Sequence, residues 1–429
     1  MPLLFGLVYA FIFVALCARR PQWALIAIFA TTPFHFNLSE GAVKYSITEI
    51  NLLLTLPILA LRLREAREGA SLKSMFLPIC AYLLVCGLSS LITWKGSEAI
   101  VSWVQMFSYI VITALIFSLL CKPDDLRKVP YYLVGVCVFW SLFGMKVDFV
   151  FAFLRKNSFG ASLAVGFLCA YELWIARGYT KRPLWQDWPR IALMGAMLII
   201  FTGLLMTLSR GAWLGTVAGM IAIGVIRGNV KPLLKIGAVL VPVVLLVWFN
   251  LPSEMQAYVT GFDADQNRNI ELRLVTLEQT QQMFNDSPLF GQGLGLRKDI
   301  DATNLVWLVL AETGVLGAIA FTWMFWNFYR LAWRARGILA PSDPRFTLLS
   351  LGVALMTYKL AHGMVDHYWT RGALTNAWAG LGMILCYCRI PVEARAREIQ
   401  GQALAKRAAR ELASREQSRA KRLNRAPVA

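Results

Sequence analysis

The sequence predicts an all-α polytopic membrane protein, and three observations carry that prediction. Apolar runs recur along almost the whole 429-residue chain. Hydrophobic residues make up 57% of it against 16% charged, where an ordinary soluble domain carries about 25% charged residues. The basic residues also gather in alternate connections between the apolar runs. With a mean hydropathy of +0.55, these figures exclude a secreted disulfide scaffold, a disordered tail protein and a conventional cytosolic enzyme. The formal charge of +18, from 43 Lys and Arg against 25 Asp and Glu, does not call for a nucleic-acid partner. Membrane proteins collect Lys and Arg for topological reasons.

Runs able to cross about 30 Å of hydrocarbon lie near residues 3–18, 22–36, 48–61, 74–93, 98–121, 129–150 and 157–176. They continue at 191–208, 211–226, 232–250, 304–329, 346–364 and 373–388. The first three are short or ambiguous, so the count is twelve or thirteen transmembrane helices. Helices are the form expected, since open sheet edges would leave backbone groups unsatisfied in lipid. The N-terminus lacks the basic region and small-residue cleavage site of a secretory signal and is read as a first helix.

One set of alternate connections holds Arg19–Arg20, Arg62 to Lys73, Lys122 to Lys128, Arg177 to Arg190, Arg227 to Lys235, Arg330 to Arg345 and the tail from Arg389. Together they carry 31 of the 43 basic residues. By the positive-inside rule this side is cytoplasmic. The other side carries 12 basic and 12 acidic residues. The chain therefore divides into an N-terminal transmembrane bundle (1–250), a periplasmic loop (251–303) with an amphipathic helix, C-terminal transmembrane helices (304–389) and a basic cytoplasmic tail (390–429). The tail reads as a solvated helix beside anionic headgroups. All eight cysteines fall in or beside apolar runs, so no disulfide framework is implied.

The informative polar groups lie at the outer ends of the late spans. Thr207-Leu-Ser-Arg-Gly-Ala-Trp-Leu-Gly215 turns between two spans and leaves Arg210 at the outer interface, against the charge bias. Glu271-Leu-Arg-Leu-Val-Thr-Leu-Glu278 places Arg273 near the start of the amphipathic helix. Asn285-Asp-Ser-Pro-Leu-Phe-Gly-Gln-Gly-Leu-Gly295 then closes that helix. Its glycines suit a tight turn or close approach of backbone to a ligand, and no βαβ unit makes them a nucleotide fingerprint. Thr303-Asn304, nine further residues and Gly314-Val-Leu-Gly317 mark re-entry into the membrane.

In this order and topology, the three segments resemble the O-antigen ligase/polymerase superfamily of bacterial envelope glycosyltransferases. The resemblance covers residues 200–320 in motif detail and the remainder in span pattern alone. It implies a GT-C-type fold that transfers a glycan from an undecaprenyl-diphosphate carrier to an acceptor sugar on the outer face of the inner membrane. A polymerase of the same family is the nearest alternative. A flippase of lipid-linked sugars is an alternative of another class, disfavoured by the lack of internal repeats. The implied partners are the carrier-linked donor, a lipid- or glycan-borne acceptor and membrane lipids. No metal or other cofactor is expected.

By the resemblance, Arg210 and Arg273 match the family's two essential arginines. Guanidinium groups grip the oxygens of a diphosphate in bidentate fashion and stabilise the charge growing on it as it leaves. The pattern departs at Thr303, where the family carries the histidine thought to take the proton from the acceptor hydroxyl. Threonine does not do so at neutral pH, so either the base lies elsewhere or the chain is not a standard ligase. Thr303 and Asn304 remain substrate-binding candidates.

Of the three histidines, His35 reads as an interface residue. The other two lie in Ala361-His-Gly-Met-Val-Asp-His-Tyr-Trp-Thr-Arg371. On a continuous helix His362 and Asp366 share a face, so the carboxylate would fix the imidazole tautomer and raise its basicity. His362 oriented by Asp366 is the candidate replacement base. His367 and Arg371, a second pair four residues apart, are substrate-binding candidates, and Lys359 precedes His362 by one turn. The bland alternative is an aromatic cap at the membrane interface. Asp263-Ala-Asp265 fits a metal-binding pattern but follows no strand. Ser46-x-x-Glu49 reads as a helix-start capping box. Glu312, inside a span, needs a partner or a cavity and is a minor candidate for the base.

Overall fold

The computed structural model describes residues 2–34, 46–66, 73–92, 97–146, 156–179, 183–250, 253, 256–257, 264–295, 304–366 and 371–391. Among these residues every regular element is helical. The early helices are α1 (Pro2–Arg19), α2 (Gln22–Ala30), α3 (Ile47–Ala66), α4 (Lys73–Ile92) and α5 (Ser97–Phe107), with a π-helical turn at Ser108–Ile112 leading into α6 (Thr113–Leu119). Then come α7 (Pro123–Leu126), α8 (Val129–Lys146), α9 (Lys156–Gly178), α10 (Trp188–Met206), α11 (Arg210–Arg227) and α12 (Lys231–Asn250). The last are α13 (Ala264–Asp286), α14 (Leu305–Ala335), α15 (Phe346–Val365) and α16 (Thr375–Cys388).

Each of the thirteen expected apolar runs contains a helix among the described residues, and the protein is an all-α polytopic membrane protein. Eight helices among the described residues are long and apolar enough to cross a membrane. Gly6–Arg19, Ile47–Leu61 and Gly372–Cys388 are shorter apolar helices. The two remaining runs are the nine-residue α2 and the glycine-rich α11.

The centre of the bundle is α9, α11, α15 and α16. The most extensive helix contact is α11 on α15, followed by α15 on α16. Small residues allow this closeness, as they do wherever apolar helices associate without a hydrophobic drive from water. Gly211, Gly215 and Gly219, one per turn of α11, lie along α15. A methyl group on Gly215 would stand 2.6 Å from the ring of Tyr358, and one on Gly219 would stand 3.3 Å from the carbonyl of Ala354. At the next crossing, a methyl on Gly352 of α15 would lie 2.6 Å from the carbonyl oxygen of Gly380 on α16.

At the basic end of this core, Glu172 of α9 and Arg227 of α11 form a fully buried ion pair. Arg227 donates through Nε at 2.9 and 3.1 Å and through Nη2 to the same carboxylate. Its Nη1 donates to the Pro341 carbonyl at 2.5 Å, and the Ser350 hydroxyl donates to Glu172 Oε1 at 2.5 Å. The pair thus ties α9, α11, the α14–α15 connection and α15 into one unit. At the opposite end lie the start of α11, the end of α15, α13 and the start of α14.

Candidate functional site at the outer end of α11 and α15

Two backbone features bring the arginine-bearing segments here. The turn between α10 and α11 puts Leu208 at φ 52°, an uncommon conformation for a branched residue. Thr207 and the Trp213 indole donate back to the Leu204 carbonyl at 2.7 and 2.9 Å and close this turn. Ser209 is the N-cap of α11, and Arg210, its first residue, is exposed.

The second feature is an interlock between the Pro/Gly turn after α13 and a break in α14. Gly314, at φ 64° and ψ −166°, interrupts α14 in a region essentially reserved for glycine. Val315 and Leu316 lose their helical acceptors there and donate instead to the carbonyls of Pro288 and Leu289, at 2.8 and 3.4 Å. In return Gln292 and Gly293 donate to the carbonyls of Ala311 and Glu312, at 2.7 and 3.0 Å. A methyl on Gly314 would lie 2.6 Å from the Phe290 nitrogen, closer still to the Leu289 carbonyl. Gly291 and Gly314 therefore serve backbone-to-backbone packing between the two segments.

Glu312 belongs to this interlock. Its Oε1 accepts from the Gly295 amide at 3.0 Å, and its backbone carbonyl accepts from the Ser89 hydroxyl of α4 at 2.6 Å. The need for a partner that its place in a span implies is met by protein. Glu49, likewise, accepts from the Ser46 amide at 2.5 Å and from the Tyr109 hydroxyl, and its own amide donates to Ser46 Oγ at 3.4 Å. This is the capping box expected from the spacing.

With α13 anchored at its C-terminal end, Arg273 reaches the end of α15. Its Nη1 donates to the Val365 carbonyl at 3.2 Å, and its Nη2 lies 3.7 Å from Asp366 Oδ1. The other carboxylate oxygen, Oδ2, is 3.8 Å from His362 Nε2. His362 Nδ1 in turn is 3.1 Å from the Tyr358 hydroxyl. Arg273 is 41% exposed, Asp366 9% and His362 not at all. Gly211 packs on the same cluster, so Arg210 starts α11 directly beside it. Lys359 is fully buried one turn before His362.

Asn304 stands at the rim. Its Oδ1 caps α14 by accepting from Val306 and Trp307 at 2.9 and 3.3 Å, and its Nδ2 donates to the Met364 carbonyl at 3.1 Å. These bonds join the start of α14 to the end of α15. Thr303, His367, His35, Asp263 and the tail from 392 lie outside the described residues, as do the side chains of Asp265 and Arg371. Among the described residues, no group of three or more His, Cys, Asp and Glu side chains is arranged to hold a metal ion.

Sequence reasoning missed Tyr358 and the close approach of Gly211. Both had a signal: Tyr358 precedes His362 by four residues, and Gly211 opens a row of glycines at four-residue steps.

Arg210, Arg273 and the interlock fall in one recognisable stretch, because residues 195–322 match the family model described as O-antigen ligase. That stretch supports membership of the O-antigen ligase/polymerase superfamily. The O-antigen ligase match contains all three motif segments, while His362 and Asp366 lie beyond it on α15. No curated protein matches the chain. The family points to a glycosyltransferase-type enzyme acting on lipid-linked glycan in a membrane.

Proposed function

We propose that the chain transfers a glycan from an undecaprenyl-diphosphate carrier to an acceptor hydroxyl at the periplasmic face of the inner membrane, inverting the anomeric centre and needing no metal. The observation that carries this reading is the convergence of Arg273, Asp366 and the Arg210-bearing start of α11 at one end of the bundle. By the positive-inside rule that end faces outward, where such a carrier presents its headgroup.

Arg210 and Arg273 hold the oxygens of the diphosphate. As the bond from the anomeric carbon to the phosphate oxygen lengthens, negative charge grows on the leaving group. Fixed guanidinium groups at a partly dry site stabilise that charge more than they stabilise the ground state. The acceptor oxygen attacks from the opposite side and gives up its proton to a base at the end of α15. General-base assistance of this kind contributes about 10²–10⁴-fold.

The test is purified protein incubated with undecaprenyl-diphosphate glycan and a saccharide acceptor. Release of undecaprenyl diphosphate with a new glycosidic bond supports the proposal. Glycan that lengthens on its carrier identifies the polymerase reaction. Movement of intact donor between leaflets without cleavage overturns the proposal in favour of a flippase.

A further inference from the structure

The sequence offers His362 as the base and Asp366 as its orienting partner, but the geometry points to the reverse. We infer that Asp366 is the group that receives the acceptor proton, that Arg273 masks it until donor is bound, and that His362 and Tyr358 are positioning residues behind it. This rests on the transferase reading above.

Three contacts enclose the imidazole. Its Nδ1 faces the Tyr358 hydroxyl at 3.1 Å. Its Nε2 faces Asp366 Oδ2 at 3.8 Å. The edge between Cδ2 and Nε2 lies under Gly211, where a methyl group would stand 2.6 Å from Cδ2 and 3.0 Å from Nε2. The side chain has no exposed area. A general base must come within about 2.6–3.2 Å of the proton-bearing oxygen, directly or through one water. An acceptor reaches His362 only by displacing Tyr358, Asp366 or the start of α11. Asp366 is the outermost described member of the row, and the 41% exposed Arg273 lies beside it.

In this inference Tyr358 donates to Nδ1 across the 3.1 Å contact, and the ring proton sits on Nε2, on the side of the Asp366 carboxylate. Which nitrogen carries a proton is set by the hydrogen bond the other one makes. In this state the neutral imidazole directs its Nε2–H towards Asp366 Oδ2, 3.8 Å away, and turns no lone pair towards the acceptor. Among the described residues, the other charged groups near the carboxylate are Arg273 from α13 and Lys359 from α15, with Arg210 at the start of α11.

Arg273 then links donor and acceptor. Its guanidinium lies 3.7 Å from Asp366 and bonds the Val365 carbonyl. A diphosphate draws the guanidinium towards its own oxygens, which frees Asp366 Oδ1 for the acceptor. In the transfer step the acceptor O–H proton passes to Asp366 and the acceptor oxygen bonds the anomeric carbon. The bond from that carbon to the carrier phosphate breaks, and its electron pair leaves on undecaprenyl diphosphate.

The experiment compares the full-length wild-type chain with Asp366→Asn, His362→Gln and Tyr358→Phe. Each is assayed for donor binding and for release of undecaprenyl diphosphate across a pH series. Asp366→Asn should lose about 10³-fold or more in turnover while donor binding is kept or tightened, because its rival for Arg273 is gone. His362→Gln and Tyr358→Phe should keep measurable turnover, reduced by about 10- to 100-fold. In His362→Gln the acid limb of the pH–rate profile should move to higher pH, since a carboxylate that loses a donor holds its proton more tightly. Retained turnover in Asp366→Asn overturns the inference. So does a His362→Gln variant as inactive as Asp366→Asn, or one whose acid limb does not move. A wild-type chain that neither binds donor nor releases carrier overturns the transferase reading itself, a distinct result.

Discussion

Gly211 on α11 lies against the edge of the His362 ring on α15, with space for a hydrogen but none for a methyl group. Ala at this position would push apart the start of α11 and the Tyr358–His362–Asp366 row. The neighbours are a stiff ring and the Asp366 Cβ at 3.1 Å, so the displacement falls on the site itself. Gly211→Ala should lower turnover by about 10²-fold, as expected for misplacement on the scale of 1 Å. Thermal unfolding in detergent should change much less than with Gly215→Ala, which meets the buried Tyr358 deeper in the helix pair. Normal turnover in Gly211→Ala would show that the contact does not position the site.

The interlock at Gly314 makes a second prediction. Any side chain there meets the Leu289 carbonyl and must hold a φ of 64° with ψ near −166°. Conformations of this kind cost about 1–3 kcal/mol even without a clash. Gly314→Ala should therefore lower thermal stability and release the turn at 288–293 from α14. Amide hydrogen exchange at Gln292 and Gly293 should rise, and turnover should fall because α13 no longer presents Arg273. A variant that keeps slow exchange at these amides would contradict the pairing.

These two contacts also mark where the sequence was legible. Apolar run length and the sidedness of Lys and Arg located every helix of the bundle, because lipid allows few other arrangements of backbone. The arginine-bearing motifs were legible because a cation at an apolar interface stands out against its surroundings. The pairing of Gly291 with Glu312 and Thr313, or of Gly211 with His362, depends on which helix lies beside which, and composition does not record that. Glu172 is a different case. It sits inside the apolar run of α9. An acid enclosed by apolar residues demands a partner, and that demand was readable before Arg227 was seen.

The Glu172–Arg227 pair separates stability from chemistry. Both groups are fully buried, so removal of one leaves the other charged and uncompensated, at a cost of about 3–5 kcal/mol. Arg227→Met should lower the unfolding temperature sharply and reduce the amount of folded protein recovered. The double variant Glu172→Leu with Arg227→Met should regain much of the loss, because replacing a whole buried pair by apolar groups is often near neutral. Any folded fraction should keep normal turnover, since the pair lies at the end of the bundle away from Arg273. A double variant less stable than either single one would refute this account.

A pH effect is expected at the basic end, in the α14–α15 connection. Arg345 donates to Asp343 through Nε at 3.0 Å and Nη2 at 2.8 Å, and this bonding holds the carboxyl below its ordinary value of 3.8. A group depressed on folding adds stability above its unfolded pKa and loses it as pH falls through the folded value. The contribution is therefore complete near neutrality, starts to fall below about pH 4 and is lost only once pH passes below the depressed folded value. Partial exposure keeps it within about 1 kcal/mol. Asp343→Asn should lower thermal stability slightly at pH 7 and by progressively less as pH falls into the acid range. An equal effect throughout would exclude the ion pair as its source.

Arg273 carries the strongest functional prediction. It bonds the Val365 carbonyl and lies near Asp366, but it is 41% exposed and adds little to packing. Arg273→Ala should insert, fold and unfold as the wild type does, with stability changed by no more than about 0.5 kcal/mol. Its turnover should fall by about 10²–10³-fold or more, the usual effect of removing a group that stabilises transition-state charge. Arg273→Lys keeps the charge but loses the planar fork that fits phosphate oxygens at two points. It should therefore bind donor while recovering only part of the turnover, which separates charge from geometry. Glycan transfer at the normal rate by Arg273→Ala would remove the diphosphate role from this residue and leave its contact with Asp366 as a structural one.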